Sequence, residues 1–247
     1  MVEIKELKKI NLKKPVLIDG FPGVGMIGTA AVMYLIKELN MELCGYIHSD
    51  KFPPFCTIRK GMPLPPARIY QSQKNNLLVI ISEFAVPLNM AYDVCCEILR
   101  WSKEKRVKRI YSLGGINIKV KEEDIDKVFG VGTTEGIIKD LKKHDIITIN
   151  EGVTTGVTGA ILAKAYVDKF PVVSLLTPSR KIGVDLRSAG AVLNKLGEIE
   201  KIKISTEKLV KEGKVIEKKL NELMGRIKEM KQKYKKLEEP GPGPMYR

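Results

Sequence analysis

One stretch near the amino terminus decides the fold, and it reads Val16-Leu17-Ile18-Asp19-Gly20-Phe21-Pro22-Gly23-Val24-Gly25-Met26-Ile27-Gly28. A short, largely apolar run such as residues 16–21 is typical of a buried strand. The glycines that follow indicate a tight turn, and residues 26–39 then have the apolar spacing of a helix. The stretch therefore predicts one strand-turn-helix unit.

The alternation of strand and helix continues from this unit to about residue 197. The predicted strands and helices are 16–21 with 26–39, 77–83 with 90–105, 110–113, 146–149 with 158–169, and 172–176 with 188–196. Such alternation indicates parallel strands joined by helices. Residues 67–73 and 77–81 flank Lys74-Asn75-Asn76 and instead indicate an antiparallel hairpin. We expect an α/β fold with a mixed, largely parallel sheet flanked by helices.

The glycine-rich turns are the candidate ligand site. The first contains the G-x-G-x-x-G spacing in Gly23, Gly25 and Gly28, between a predicted strand and a predicted helix, which is the context of a dinucleotide site. The second, residues 152–159, includes Gly156 and Gly159 and could hold a phosphate at a helix end. Sharp backbone bends and close helix packing also explain both turns. They are favoured for the first turn, because Pro22 makes the loop rigid and Asp50, the acid at the spacing of a ribose-binding residue, does not follow the usual hydrophobic strand. We predict a crevice at the carboxyl ends of the strands, where a ligand could bind.

The sequence offers no recognisable catalytic or metal-binding set. It contains four cysteines without a C-x-x-C spacing and two histidines without a ligand spacing, so we predict reduced thiols and no metal site. Glu83, Glu151 and Asp185 could each act as an acid or base, but each also suits a solvated loop. We therefore predict no catalytic residues and no cofactor.

Charge and hydropathy narrow the classes of protein further. The chain has 247 residues and a formal net charge of +14. Its apolar runs fall far short of the roughly 20 residues that span a bilayer, and its first residues lack the pattern of a secretory signal. A cytoplasmic protein without a membrane partner is expected. The densest basic cluster, residues 103–109, lacks interleaved aromatic residues, so we favour a solvated helix end over a nucleic-acid site.

A different pattern begins after Gly197. Apolar residues step by seven and then by four and three, as in the seam of a coiled coil; they are Leu209, Ile216, Leu220, Leu223, Ile227, Met230, Tyr234 and Leu237. A helix over residues 200–239 would be about 60 Å long. We expect Leu220, Leu223, Ile227 and Met230 to contact another copy of the chain or a client protein. The predicted organisation is a core over residues 1–197, an extended helical segment over 198–239, and a spacer with a tail over 240–247.

The last eight residues read Pro240-Gly241-Pro242-Gly243-Pro244-Met245-Tyr246-Arg247. Proline and glycine in alternation prevent regular structure and form a spacer. The final tripeptide offers an apolar side chain, a ring with a hydroxyl group and a carboxylate that a basic pocket can bind. A frayed end is the plainer alternative.

Taken together, these features resemble the proteasome assembly chaperone family of archaea, and within it the homologue B type. The resemblance covers residues 17–197 and lies in the first glycine turn, Gly114-Gly115 and residues 156–162. The tail is similar to the hydrophobic-tyrosine-any (HbYX) ending of proteasome activators, with Met245, Tyr246 and Arg247 at the three positions.

This resemblance implies a core related to purine nucleoside phosphorylases but without known catalysis, assembled as a homo-oligomer, a tetramer in the homologue B type. It also implies that the tail docks between α-subunits of the core proteasome. The protein would then act as a chaperone or as an ATP-independent activator. Unfolded client proteins are further partners that the resemblance implies. The alternative is a nucleoside- or nucleotide-processing enzyme that uses the glycine turns.

Overall fold

A computed structural model describes residues 1–118, 126–179, 183–211, 213–214, 216–218, 220–222 and 225. Within these residues, nine strands form one sheet and two more form a separate ribbon. The strands are β1 (Val2–Glu6), β2 (Val16–Gly20), β3 (Glu42–Ser49), β4 (Thr57–Arg59), β5 (Met62–Leu64), β6 (Ala67–Ser72), β7 (Leu77–Ser82), β8 (Arg109–Ile116), β9 (Phe129–Gly132), β10 (Ile147–Thr148) and β11 (Val172–Pro178).

The helices are α1 (Ile27–Glu38), α2 (Ala91–Glu104), α3 (Glu135–Lys143), α4 (Gly156–Val167), α5 (Leu186–Glu200) and α6 (Glu207–Lys211). Helices α1 and α5 contribute to one apolar core, and α2 and α4 contribute to a second. Each side of the sheet therefore has its own pair of packed helices, as expected of a layered α/β fold.

The sheet has the order β1-β3-β6-β7-β2-β8-β11-β9-β10. Its centre is parallel, because β7, β2, β8 and β11 all run the same way. Strands β1, β3 and β6 join antiparallel on one side, while β9 is antiparallel to β11 on the other. The predicted mixed α/β sheet is confirmed, and the antiparallel hairpin of β6 and β7 is confirmed with it.

The elements that were not predicted include β1, β4, β5, β9 and α3. Strand β9 contains two glycines, which weaken a strand pattern. Their role lies in the packing, because a Cβ on Gly132 would lie 2.4 Å from Cγ2 of Ile137 in α3. Helix α3 begins at an N-cap, with the Thr134 hydroxyl oxygen accepting a 3.3 Å hydrogen bond from the Ile137 amide.

The segment after residue 197 begins differently from the prediction. Helix α5 passes Gly197 and ends at Glu200. Leu209, Ile216 and Leu220 are all buried and join the core that contains α1 and α5. The surface that Leu220 was expected to offer to another chain is therefore already covered by its own chain. Leu223, Ile227 and Met230, the spacer over 240–247, and the tail residues Met245, Tyr246 and Arg247 lie outside the described residues.

The densest basic cluster is paired with carboxylates. Lys103 contacts Asp168 at 2.8 Å, and Lys105 contacts Glu6 at 2.6 Å. Lys108 and Arg109 are likewise within ion-pair distance of Glu200 and Asp140. Because these partners offset the positive charge, the cluster is less suited to bind phosphates than the sequence alone suggests.

Candidate functional site

The carboxyl ends of the parallel strands meet at one edge of the sheet, where a cleft of about 1540 Å³ opens. Loops that follow β2, β3, β7 and β8 line it, together with the segment between β10 and α4. Phe52 and Phe84 form part of its wall and pack edge to face, with ring centroids 4.8 Å apart. Open α/β sheets bind ligands at this edge, so the cleft is the candidate site.

The cleft is nearly free of charge. Among the described residues that line it, only Lys51 and Glu151 carry an ionisable side chain, although 29% of the whole chain is charged. Its walls are formed by aliphatic, aromatic, asparagine and threonine side chains and by glycine backbone. Glu151 is exposed on the rim. Such a surface favours apolar ligands over phosphates or other anions.

The first glycine turn mainly serves packing. A Cβ on Gly28 would lie 2.0 Å from the carbonyl oxygen of Leu113 in β8, so α1 packs directly on that strand. Gly25 has a φ of +61°, and a Cβ there would lie 2.6 Å from the Ser179 hydroxyl oxygen. Only Gly23 of the three predicted glycines lines the cleft. The close-packing interpretation accounts for Gly25 and Gly28.

The second glycine turn also contains one glycine that lines the cleft and one that is needed for close packing. Gly156 lines the cleft at the start of α4 and has a φ of +71°, with open space where a side chain would be. A Cβ on Gly159 would lie 2.4 Å from the carbonyl oxygen of Thr154. Gly23 and Gly156 thus line the cleft. The other three are closely packed, Gly25 against the Ser179 side chain and Gly28 and Gly159 against backbone carbonyl groups.

A buried polar cluster lies behind the cleft. Asp19 of β2 is fully buried, and its Oδ1 accepts a 2.7 Å hydrogen bond from the Ser112 hydroxyl of β8. Ser112 Oγ is also 2.9 Å from Oγ1 of Thr158, which lines the cleft. Burial raises the pKa of Asp19 to about 7, although the Ser112 hydrogen bond opposes the rise. Asp19 Oδ2 has no hydrogen-bond partner within the described part of the chain.

A second buried carboxyl group, Glu83, lies directly after β7. Arg68 of β6 is fully buried and contacts it at 2.6 Å, and Arg59 of β4 contacts it at 2.5 Å. Thr57 of β4 also donates a hydrogen bond to it. Burial raises the pKa of Glu83, but the hydrogen bonds and positive charge of Arg68, with Thr57 and Arg59, lower it overall. This carboxylate fastens the β4–β5 ribbon to the sheet.

The other acidic candidates have structural roles. Asp185 is the N-cap of α5, where its Oδ1 accepts a 3.1 Å hydrogen bond from the Ser188 amide. Asp50 accepts a hydrogen bond from the terminal amino group of Met1 at 3.1 Å and is not among the residues that line the cleft. Sequence reasoning missed Asp19, although an acidic residue inside an apolar strand is itself a signal.

No group of three or more histidine, cysteine, aspartate or glutamate side chains is placed to hold a metal ion in the described ranges. No helix among those residues is long and apolar enough to cross a membrane.

The comparisons with known proteins agree with this geometry. The PAC2 family model matches residues 17–224, which extends past the predicted boundary at residue 197. The Methanocaldococcus jannaschii protein MJ0106 is 32% identical over 231 residues, covering 94% of each chain.

Two solved structures from Pyrococcus furiosus are similar as well. PbaA, an archaeal homolog of proteasome-assembly chaperone, is 28% identical with a TM-score of 0.82, over 92% of this chain and 99% of that one. PbaB, an archaeal proteasome activator, has the same fold at 22% identity and a TM-score of 0.71, over 96% and 99% of the chains. Both measures are higher for PbaA, so the comparisons support the family without favouring the homologue B type. The chain belongs to the PAC2 family.

Proposed function

We propose that this protein is a cytoplasmic proteasome assembly chaperone homologue that binds the α-ring of the core proteasome through Met245, Tyr246 and Arg247. One observation carries the proposal: a PAC2 core is followed by a proline-glycine spacer and a terminal hydrophobic-tyrosine-any tripeptide. The description of PbaA as a homolog of a proteasome-assembly chaperone, at 28% identity, supports the same class of partner.

The chemistry of the tail explains how it would dock. Met245 provides an apolar anchor, the Tyr246 ring provides area and a hydroxyl group, and the carboxylate of Arg247 pairs with a basic group between two α-subunits. Three residues bury little surface, so one tail binds weakly. A homo-oligomer presents several tails, and the spacers let neighbouring tails bind together and raise the apparent affinity. Through this docking the protein acts either as an assembly chaperone or as an activator that opens the gate of the proteasome without ATP.

Residues beyond the described core provide the second contact. Leu223, Ile227 and Met230 continue the apolar seam, and we propose that they contact another copy of the chain or a client. Changing Leu223 and Ile227 together to lysine lowers the oligomer mass or client binding. Unchanged mass in analytical ultracentrifugation together with unchanged client binding would remove this part of the proposal.

The alternative, a nucleoside- or nucleotide-processing enzyme, is less well supported. Gly25 and Gly28 are needed for packing, and the described lining of the cleft contains only two ionisable side chains. Acid-base catalysis requires titratable groups near the reacting atoms. Calorimetry with nucleosides, phosphate and dinucleotides separates the two functions, because the enzyme requires a clear binding signal that our proposal does not.

The experiment that tests the proposal is co-migration with the purified core proteasome in size-exclusion chromatography. Deleting residues 245–247 or changing Tyr246→Ala should abolish co-migration without changing the circular dichroism or the mass of the oligomer. Arg247→Ala is the matched control, since any side chain is accepted at the last position. Full binding by the truncated chain would overturn the proposal.

A further inference from the structure

The rim of the cleft exposes several apolar side chains. Twelve large hydrophobic residues are exposed among the described residues, and five of these line the cleft; they are Val24, Leu88, Ile118, Ile147 and Val153. Leu88 is 76% exposed and Val153 is 93% exposed. Contiguous exposed apolar surface on a folded chain marks an interaction site.

Size and charge limit what the cleft can bind. Its volume of about 1540 Å³ exceeds the roughly 300–1,000 Å³ of sites for small molecules. Lys51 and Glu151 are the only ionisable groups in its described lining, and their opposite charges leave the lining neutral. A charged ligand would lose its hydration here without gaining a partner. A large, uncharged, apolar ligand fits both properties.

The buried cluster determines whether the Thr158 hydroxyl donates or accepts a hydrogen bond at the cleft. Thr158 is the member of the cluster that lines the cleft. While Asp19 is ionised, the Ser112 hydroxyl donates its hydrogen to Asp19 Oδ1. Because a serine has a single hydroxyl hydrogen, the contact between Ser112 and Thr158 must use the hydrogen of Thr158. The Thr158 oxygen can then only accept a hydrogen bond from a ligand. Thr158 is therefore set to receive an N–H or O–H group.

We propose that the cleft binds an uncharged, apolar polypeptide segment of a partner protein, with Thr158 Oγ1 accepting a backbone N–H of that segment. A polypeptide meets each requirement, because it can be large, neutral and apolar, and it has an N–H group at nearly every residue. This site is separate from the tail, so its success or failure is independent of proteasome docking.

The first test measures binding of a dansyl-labelled, amidated hexapeptide of valine, leucine and serine by fluorescence anisotropy. Leu88→Asp should weaken binding at least tenfold, because it places an unpaired charge in the site. Val167→Asp is the matched control, since Val167 is also 76% exposed but lies outside the cleft. The same peptide with a central lysine should bind at least tenfold more weakly to the unchanged protein.

The second test isolates the hydrogen bond. Thr158→Val keeps the shape of the side chain and removes the acceptor, which should weaken binding about three- to tenfold. In a second peptide, one ester replaces the recognised amide. The unchanged protein should bind this ester peptide more weakly than the amide peptide by a similar factor, whereas Thr158→Val should bind the two peptides equally. Thermal unfolding followed by circular dichroism shows whether each variant folds.

Three results would overturn the proposal. Equal binding of the neutral and the lysine-containing peptides would show that the cleft does not select by charge. Equal losses for Leu88→Asp and Val167→Asp would place the peptide elsewhere. Absence of peptide binding together with a lower mass of Leu88→Asp in analytical ultracentrifugation would assign the cleft to contact between copies of this chain.

Discussion

Asp19 lies in β2, and Glu83 lies directly after the neighbouring strand β7. Both carboxyl groups are buried, and their surroundings are opposite. Glu83 is bound by Arg68, Arg59 and Thr57, and the net effect of these contacts lowers its pKa. Asp19 has one donor, Ser112, and burial raises its pKa to about 7. The first carboxyl group is charged and paired, whereas the second changes between its neutral and charged forms near pH 7.

This difference distinguishes a carboxyl group with a structural role, Glu83, from one that belongs to the candidate site, Asp19. A fully paired buried carboxylate fastens two parts of a fold, and here it fixes the β4–β5 ribbon. A buried oxygen without a partner is rare in folded proteins and calls for a specific explanation. Asp19 Oδ2 is such an atom, and the chain Asp19–Ser112–Thr158 leads from it to the cleft. The unsatisfied cluster, rather than the ion pair, belongs to the candidate site.

The largest expected effect comes from breaking the ion pair. Arg68→Met removes the buried guanidinium and leaves Arg59 as the one cation that pairs with Glu83 among the described residues. This should lower the free energy of unfolding by about 3–5 kcal/mol. Urea denaturation measures the change. The double variant with Glu83→Gln should recover part of the loss, because the buried charge is then gone. A loss below about 1 kcal/mol for Arg68→Met would contradict this view of Glu83.

The next effect is the pH dependence that Asp19 contributes. Its pKa rises from 3.8 in an exposed chain to about 7 in the fold, so the folded state binds a proton that the unfolded state has lost. The free energy of unfolding should then fall by up to about 1.4 kcal/mol per pH unit between pH 4 and pH 7 and level off above pH 7.

Asp19→Asn should remove this slope while leaving the slope from Glu83 in place. The stability that Glu83 provides is present above its ordinary pKa and is lost only as the pH falls through its lowered value. Urea titrations at pH 5, 6, 7 and 8 distinguish the two groups. Identical slopes for Asp19→Asn and the unchanged protein over pH 5–7 would refute the assignment.

The smallest effect concerns the serines beside Asp19. Ser112 and Ser174 pair across β8 and β11, but only Ser112 bonds to Asp19, and Ser174 Oγ has no partner among the described residues. Ser112→Ala should cost about 1 kcal/mol and raise the pKa of Asp19 further. Ser174→Ala should change stability little. Equal costs in urea denaturation would show that the Ser112 hydrogen bond contributes nothing specific.

The sequence predicts the centre of the fold well because the buried parallel strands are continuous apolar runs. Prediction fails where tertiary contacts determine the residue type. Strand β9 was missed because Gly132 weakens the strand pattern. A glycine is needed there because it leaves space for Ile137. The heptad spacing after Gly197 is ambiguous for a related reason, since a helix packed on its own core and a coiled coil share that period. Leu209, Ile216 and Leu220 follow the first of these two arrangements.

The candidate site was predicted only in part. The position of the crevice follows from the strand order, and Gly23 and Gly156 do line it. The cluster of Asp19, Ser112 and Thr158 comes from three elements that are far apart in the sequence. No local spacing reports such a cluster, because only the pairing of β2 with β8 and the packing of α4 bring its members together.

The tail provides the most direct test, because its carboxylate, like Glu83, is proposed to need a cationic partner at a fixed position. Adding one glycine after Arg247 keeps every side chain of the tail and moves only the carboxylate. Biolayer interferometry on immobilised core proteasome measures the result. We expect the extended chain to bind at least tenfold more weakly, since the charge would no longer meet its basic partner. Unchanged affinity would contradict docking through the terminal carboxylate.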